Sequence, residues 1–331
     1  MRRAVVSALS GLVALHLAAC GRSKVQEVES RPAEAPPQPV AADVAPLSAR
    51  ISRPMPERIV AIGDLHGDLD HARRALRLAG AVDDRDQWVG GRLVVVQVGD
   101  EIDRGDDDRG IIDLIERLKR QAAAAGGELI ALLGNHEVMN ASLDFRYVTA
   151  GGFATFTPFD LADASAPLAE LLPQSRGRAA AFAPGGPYAT IESRRPFVMK
   201  VGDTIFVHGG VLPKHVAYGL DRMNDELDAW LAGRLPAPPP ILVAEDGPVW
   251  TRVYSSEDAP ADCADLAEVL ARLGAKRMVV GHTVQRQGVN SACDGKVWRI
   301  DVGLSRYFGG PIQALEIRGS DVAALREATS K

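Results

Sequence analysis

Between Leu93 and Glu137 the chain twice runs a short apolar stretch straight into a glycine and a block of ligating side chains. The first block, Gly99-Asp100-Glu101-Ile102-Asp103-Arg104-Gly105, follows Leu93 to Val98, and the second, Gly134-Asn135-His136-Glu137, follows Leu129 to Leu133. Short β-branched or Leu-rich runs ended by Gly read as buried parallel strands, with their polar residues on the loops beyond. Loops at the carboxyl ends of strands in an open α/β sheet are where ligands bind. Carboxylates, an Arg, an Asn and a His delivered to one crevice form an inventory for metal and phosphate.

The same device recurs along the chain. Arg58 to Ile62 leads into Gly63-Asp64-Leu65-His66-Gly67-Asp68, Thr204 to Val207 into His208-Gly209-Gly210, and Arg277 to Val280 into Gly281-His282-Thr283. Further strands are expected near Val297 to Val302 and Ile312 to Ile317. Helical spacing predicts helices over about Leu69 to Leu78, Asp107 to Ala125, Met223 to Leu231 and Cys263 to Leu273. Alternating strands and helices indicate an α/β fold. From about 141 to 196 the pattern dissolves into Gly-Gly pairs, Ala-rich segments and prolines, which read as a partly helical cap inserted over the crevice. Asp106, Asp107 and Asp108 read as the acidic start of a helix rather than as metal ligands. His71 and His215 lack motif context and read as surface residues, while Glu137 and Asp68 read as residues that bond backbone beside the ligands.

The amino terminus is of another kind. Met1, Arg2 and Arg3 precede an apolar segment of about sixteen residues ending in Leu17-Ala18-Ala19-Cys20-Gly21. A basic start, a short apolar centre and small residues at the cut describe a signal peptide over 1–19. That is short for a membrane-spanning helix, which needs about 20 residues. The Leu-Ala-Ala-Cys tetrad resembles a bacterial lipobox, which implies a lipid on Cys20; the alternative is an ordinary signal with a chance Cys. Residues 20–56, rich in Pro, Ala, Glu and Ser, read as a tether. These features place the protein as exported, periplasm-facing and lipid-anchored to a bacterial membrane. The 275 residues from 57 to 331 suffice for one large domain with an insertion. A formal net charge of -5 gives no basic footprint, so no nucleic acid partner is expected.

Taken as a set, Gly-Asp-x-His, Gly-Asp-x-x-Asp-Arg-Gly, Gly-Asn-His-Glu, His-Gly-Gly and Gly-His-Thr resemble the metallophosphoesterase superfamily. The complete Asp-Arg-Gly and Gly-Asn-His-Glu blocks resemble its phosphoprotein phosphatase family. Gly281-His282-Thr283 and the tail Asp301 to Gly310 look like the Shewanella-like bacterial branch. The Arg that often follows Gly-Asn-His-Glu in the eukaryotic serine/threonine enzymes is replaced here by Val138-Met139-Asn140. The resemblance covers about Arg58 to Ile317 and implies a β-sandwich flanked by helices, carrying two divalent metal ions. It implies a first ion on Asp64, His66 and Asp100 and a second on Asp100, Asn135, His208 and His282, with Asp100 bridging. Mixed oxygen and imidazole ligands suit Mn, Fe or Zn better than Ca. Such a pair can activate water at neutral pH and clamp an in-line phosphoryl displacement. Arg104 presents a planar fork to phosphate oxygens. His136, beside a ligand, has the place of a general acid, oriented by Asp103. Arg252, after the apolar anchor Val249-Trp250-Thr251, is the candidate for a second phosphate clamp.

Rival chemistries lack their residues. Asn140 stands where a zinc protease would need its second His, and neither a nucleophile elbow nor a phosphate loop ending in Lys-Ser or Lys-Thr is present. Cys263 and Cys293 do not sit on a phosphate-cradling loop; in an exported chain they are candidates for a disulfide, and sequence leaves open whether they are close enough. The reading is a phosphomonoesterase acting on phosphoproteins, phosphopeptides or small phosphoesters, with phosphotyrosine at least as plausible a substrate as phosphoserine or phosphothreonine. A hydrolase of nucleotides or dinucleoside polyphosphates is the alternative. A non-catalytic anchored phosphate-binding module is the rival of another class.

Overall fold

The apolar runs are strands, and their registers bring the motif loops to one level. In the computed structural model, β1 (Ser52–Arg53), β2 (Ile59–Ile62), β3 (Val94–Gln97), β4 (Glu128–Ala131), β5 (Val198–Val201), β6 (Thr204–Val207), β7 (Arg277–Val280), β8 (Asn290–Ala292), β9 (Val297–Arg299), β10 (Gln313–Arg318) and β11 (Asp321–Arg326) form two sheets. One has the order β11-β10-β2-β3-β4 and the other β1-β5-β6-β7-β9-β8. Strands β2, β3 and β4 are parallel, with Ile62, Gln97 and Ala131 aligned across the register. In the second sheet β6, β7 and β9 are parallel, with Val207, Val280 and Arg299 aligned. Every residue of β2, β3, β6 and β7 is buried, the signature of strands covered on both faces. Val60 and Val96 of one sheet share an apolar cluster with Phe206 and Val279 of the other. The architecture is the expected mixed α/β pair of sheets flanked by helices.

The structure describes residues 46–157, 159 and 171–327. The expected signal segment, Cys20 and the tether as far as residue 45 lie outside them. From residue 46 onward the chain is packed where a tether was expected: Ile51 is fully buried and β1 pairs in parallel with β5. Pairing with an edge strand absorbs this segment's backbone groups despite its prolines.

Helices form where apolar residues recur on one face. In α2 (Asp108–Ala124), Ile111, Leu114, Ile115, Leu118 and Ala122 are buried, a single stripe at helical spacing. Helix α1 (Leu69–Leu78) starts on Asp68, whose carboxylate accepts from the His71 amide at 3.2 Å. Within 141–196 the chain forms α4 (Ala150–Ala154), α5 (Pro173–Phe182) and α6 (Pro187–Glu192), following α3 (Asn135–Ala141). This insertion has its own small core, in which Phe156, Phe182 and Tyr188 pack with Ile102 and Ile112.

Two histidines depart from the surface placement expected of them. His215, in α7 (Pro213–Tyr218), is fully buried: its Nδ1 accepts from the Leu212 amide at 3.0 Å and its Nε2 donates to the Asp246 carbonyl at 3.0 Å. The ring closes the start of a helix whose first residue is a proline, and burial pushes its pKa down to about 4. His71 is largely buried, 2.7 Å from the Leu304 carbonyl through Nδ1.

Cys263, at the start of the helix Cys263–Arg272, is bonded to Cys293 in the β8–β9 turn, 30 residues on, with Cα atoms 5.4 Å apart. The bond ties a surface helix to a sheet edge. Replacing both cysteines by Ser is expected to lower stability by about 2–4 kcal/mol. A urea midpoint that does not move against the oxidised wild type would refute this.

Candidate metal centre

Six parallel or near-parallel strand ends, from both sheets, deliver the site. Asp64 and His66 follow β2, Asp100 follows β3, Asn135 follows β4, His208 follows β6, His282 follows β7 and Asp301 follows β9. The loops are stitched at the same level: the amides of Leu65 and His66 donate to the Asp100 carbonyl, and that of Gly281 to the His208 carbonyl. Close packing here explains two of the motif glycines. A Cβ on Gly134 would lie 2.2 Å from an Asp100 carboxylate oxygen, and one on Gly281 would lie 2.4 Å from Asp64 Oδ1.

The backbone is strained where the ligating groups sit. His66, Asp100, Asp103, Arg104 and His282 all have positive φ, between 47° and 70°. Non-glycine residues held there cost of order 1–3 kcal/mol each and persist only where the surroundings impose it. Glu137 supplies part of that constraint: its carboxylate accepts from the amides of Gly134, Asp100 and Glu101 at 2.7, 3.0 and 2.9 Å. It thereby fastens the β3 and β4 loops together, the backbone-bonding role its position suggested.

The imidazole protons are assigned by their backbone partners, because a carbonyl oxygen only accepts. His208 Nδ1 faces the Val98 carbonyl at 3.0 Å, and His282 Nε2 faces the Trp250 carbonyl at 2.9 Å. Those nitrogens therefore carry the protons. The remaining lone pairs, on His208 Nε2 and His282 Nδ1, face one another at 3.2 Å, with Asn135 Oδ1 3.0 Å from His208 Nε2. Three acceptors converge, and Asp100 Oδ2 is a fourth at 3.3 Å from His208 Nε2. His66 repeats the pattern. Its Nδ1 faces the Ile102 carbonyl at 3.3 Å, leaving the Nε2 lone pair 3.9 Å from Asp64 Oδ2 and 3.8 Å from Asp100 Oδ2.

Two donor groups emerge, Asp100 with His208 and His282, and Asp100 with His66 and His136, each with its ligating atoms within 4.8 Å of one another. Around His208 and His282 acceptors face acceptors in a buried site, an arrangement that a cation between them satisfies. The charge balance agrees. Burial, with the charges of Asp301 and Asp100, pushes Asp64 well above the usual carboxylate range, and burial pushes His66 down to about 3. Burial likewise pushes His282 well below its ordinary value, and carboxylates crowded among imidazoles are a set that fits divalent metal ions.

His136 differs from the other imidazoles. Its Nδ1 lies 2.7 Å from Asp103 Oδ2, a carboxylate, and its Nε2 lies 3.8 Å from Asp100 Oδ2 and 3.5 Å from Arg104 Nη2. Burial pushes its pKa down, but the Asp100 charge and the bond to Asp103 outweigh that and hold it above the ordinary value. Arg104 is wrapped in aromatic rings, with its guanidinium carbon 4.5 Å from the centre of Tyr147, 5.3 Å from Tyr307 and 5.1 Å from Phe308. Its buried Nε has no hydrogen-bond partner among the described residues. Arg252 Nη1 donates to the His282 carbonyl and to Thr283 Oγ1, both at 2.8 Å.

His66, Asp100, Arg104, Asn135, His136, Arg252 and His282 line one cleft of about 340 Å³. Asp64, Asp103 and His208 are buried behind them. Several other residues at the site were not read from the sequence. Tyr147 and Phe308 pack their rings 5.1 Å from His136 and 5.2 Å from His66. Asn140 Nδ2 donates to both oxygens of Asp103, at 3.0 and 3.1 Å. Its spacing, one helical turn after His136, is a signal that was available. Asp301 closes the cleft, and burial pushes its pKa up to about 6. Arg178 bonds Asp103 from α5, and no local pattern marks it.

Residues 57–286 match the model of the calcineurin-like phosphoesterase family. Shewanella-like protein phosphatase 2 of Arabidopsis thaliana is 41% identical over 295 residues, covering 80% of this chain and 75% of that protein. Shewanella-like protein phosphatase 1 of Plasmodium berghei is 28% identical, covering 83% of this chain and 75% of that one. Among solved structures, a cold-active protein-tyrosine phosphatase of a psychrophilic Shewanella species superposes with a TM-score of 0.64 at 22% identity, covering 90% of this chain and 89% of its own. At that identity the likeness concerns the fold.

Proposed function

The chain belongs to the calcineurin-like phosphoesterase family and, within it, to the Shewanella-like protein phosphatases, and from that membership we propose a division of labour among its residues in the hydrolysis of phosphomonoesters on proteins. It is a metal-dependent phosphatase of the dinuclear kind. The observation that carries the reading is the convergence of unshared acceptors on either side of Asp100, beside Arg104 and His136 in the same cleft. Asp64, His66 and Asp100 would hold one divalent ion, and Asp100, Asn135, His208 and His282 the other; Mn, Fe and Zn suit these donors. When bound, such ions supply Lewis-acid charge and lower the pKa of water.

The chain's own residues then have distinct tasks. Arg104, braced by three aromatic rings and with an unpartnered Nε, grips the phosphate oxygens. In its proton-giving state His136 carries protons on both nitrogens: Nδ1–H is held by Asp103, and Nε2–H is free for the leaving oxygen once Arg104 Nη2, 3.5 Å away, turns to the phosphate. As the water oxygen bonds to phosphorus, losing a proton to solvent, and the ester P–O bond breaks, the leaving oxygen takes the Nε2 proton, which solvent then restores to His136. Asp103 orients the ring and stabilises its positive charge. His136 falls within the donor group around Asp100, but its bond to a carboxylate rather than to a carbonyl favours the protonated, proton-giving state over a ligand's neutral one.

Arg252 is the second clamp on phosphate. Loss of two charge-assisted hydrogen bonds corresponds to about 3 kcal/mol, so Arg252→Ala is expected to lower kcat/KM about 10²-fold with metal content unchanged. Arg252→Lys should recover part of this, since a point charge lacks the planar fork. Wild-type kinetics in the Ala variant would move the clamp elsewhere.

An aromatic phosphate ester is favoured as substrate because Tyr147, Tyr307 and Phe308 offer ring surface at the mouth of the cleft, Tyr307 being 61% exposed. With Mn added, phosphotyrosyl peptides are expected to exceed nucleotides and dinucleoside polyphosphates in kcat/KM by about tenfold or more. The reverse order would overturn the protein-phosphatase reading in favour of nucleotide hydrolysis. Export completes the proposal, supported by the Cys263–Cys293 disulfide, a bond typical of oxidising compartments, while lipid attachment at Cys20 rests on the Leu17-Ala18-Ala19-Cys20 tetrad alone.

A further inference from the structure

Arg178 lies in the insertion, 75 residues from Asp103 in sequence, yet its guanidinium is fully buried beside the Asp103 carboxylate. Its Nη2 donates to Asp103 Oδ1 at 2.9 Å, its Nη1 to Asp108 Oδ2 at 2.6 Å and to the Gly152 carbonyl at 3.1 Å, and its Nε to Asn140 Oδ1 at 2.7 Å. Phe156 and Phe182 pack on the guanidinium, with ring centres 5.2 and 5.0 Å away. Burying a guanidinium is costly unless it is paired and hydrogen-bonded, and this one is paired with two carboxylates and has a partner at each nitrogen.

The effect on Asp103 is specific. One oxygen faces His136 Nδ1, the other faces Arg178, and Asn140 bridges the two. The Asp103 amide is held in turn by Asp108 Oδ1 at 3.0 Å, and Asp108 is Arg178's other carboxylate. Asp103 is thereby fixed at a φ of 70° that its own side chain does not favour. Without the guanidinium, Asp103 and Asp108 would be two buried like charges in one pocket, and Asp103 would have no reason to hold its aim.

We propose that Arg178 is a positioning residue for proton delivery: it reaches from α5 of the insertion to lock Asp103, and through Asp103 it sets the direction of His136. The proposal rests on the reading of His136 as proton donor. It gives the insertion a task behind the cleft as well as at its rim, and it makes proton delivery depend on the seating of α5.

The test is a double-mutant cycle on the metal-loaded enzyme, read with an alkyl phosphate and with nitrophenyl phosphate, whose leaving group needs little protonation. An ammonium reaches one carboxylate where the fork reaches two. Arg178→Lys is therefore expected to lower kcat about tenfold or more on the alkyl ester, well beyond its effect on the nitrophenyl ester, with KM and metal content unchanged. In an Asp103→Asn background the same change should have little further effect, because the partner it acts through is gone. If Arg178→Lys does not fold, as judged by near-ultraviolet circular dichroism, Asp108→Asn removes the charge that anchors Nη1 while keeping the guanidinium and its bond to the Gly152 carbonyl, and should give the same signature at smaller amplitude. Equal loss on both esters, or full additivity with Asp103→Asn, would reduce Arg178 to a packing residue and overturn the proposal. His136→Asn run alongside separates the failures. A uniform loss there takes down the proton-donor reading and this proposal together; a leaving-group-dependent loss there and none in Arg178→Lys takes down this proposal alone.

Discussion

Asp100→Asn is expected to lower turnover about 10³-fold or more, since two-metal charge stabilisation is worth several kcal/mol. Metal content should fall at both positions. A single oxygen, Oδ2, lies 3.3 Å from His208 Nε2 and 3.8 Å from His66 Nε2, so it faces both donor groups at once. The other oxygen is committed to the His136 amide at 3.0 Å. No other carboxylate in the described residues belongs to both groups. The amide keeps the shape and removes the charge. In the metal-free protein the new Nδ2–H₂ would meet imidazole lone pairs that otherwise have no donor, so the variant should melt no lower than the metal-free wild type. Misfolding is thus separable from loss of metal. Near-normal turnover with full metal content by elemental analysis would sink the bridging assignment.

Much of the site's location is legible because buried parallel strands announce their own ends. β2, β6 and β7 are fully buried, so they read as short runs dominated by apolar residues, and the polar residue beside the glycine that ends each run (Asp64, His208, His282) marks the crevice. The resemblance then supplied ligand identities that spacing alone does not. Elements whose formation depends on neighbours were not legible. β1 and β8 have two and three residues and little apolar signal, and their pairing partners decide them. β5 follows a proline and a run of charge, and its place is set by antiparallel pairing with β6. α3 is buried on every side, so it lacks the one-sided stripe that identifies a helix.

The same distinction governs side chains. Gly134 and Gly281 can be foreseen at close approaches, whereas positive φ at Asp103 and Arg104 is imposed by a bonding network and leaves no compositional trace. His215 shows that an isolated histidine carries no label for burial: the Asp246 carbonyl that fixes its Nε2 lies 31 residues on in sequence. Arg178 is the extreme case: an Arg in an Ala-rich segment reads as a solvated charge until the fold brings Asp103 and Asp108 to it.

The second large effect is expected at His136. His136→Asn should leave metal content intact while lowering kcat roughly 10²–10⁴-fold on esters with poor leaving groups, the usual worth of a general acid. Geometry separates this residue from the ligands around it. The ring nitrogens of His66, His208 and His282 that face backbone carry their protons against carbonyls, so their cleft-facing nitrogens are lone pairs. His136 is backed by a buried carboxylate at 2.7 Å, which stabilises a second proton on Nε2. That Nε2 is 3.5 Å from Arg104 Nη2, so a phosphate gripped by Arg104 places its ester oxygen within reach of the proton. Asn cannot supply a proton at that point, although it preserves helix α3 and the amide that bonds Asp100. On nitrophenyl phosphate the loss should shrink markedly, because that anion departs without a proton. Equal loss on alkyl and nitrophenyl esters would remove His136 from proton transfer, and loss of metal along with activity would place it among the ligands, where its distance to Asp100 alone would have put it.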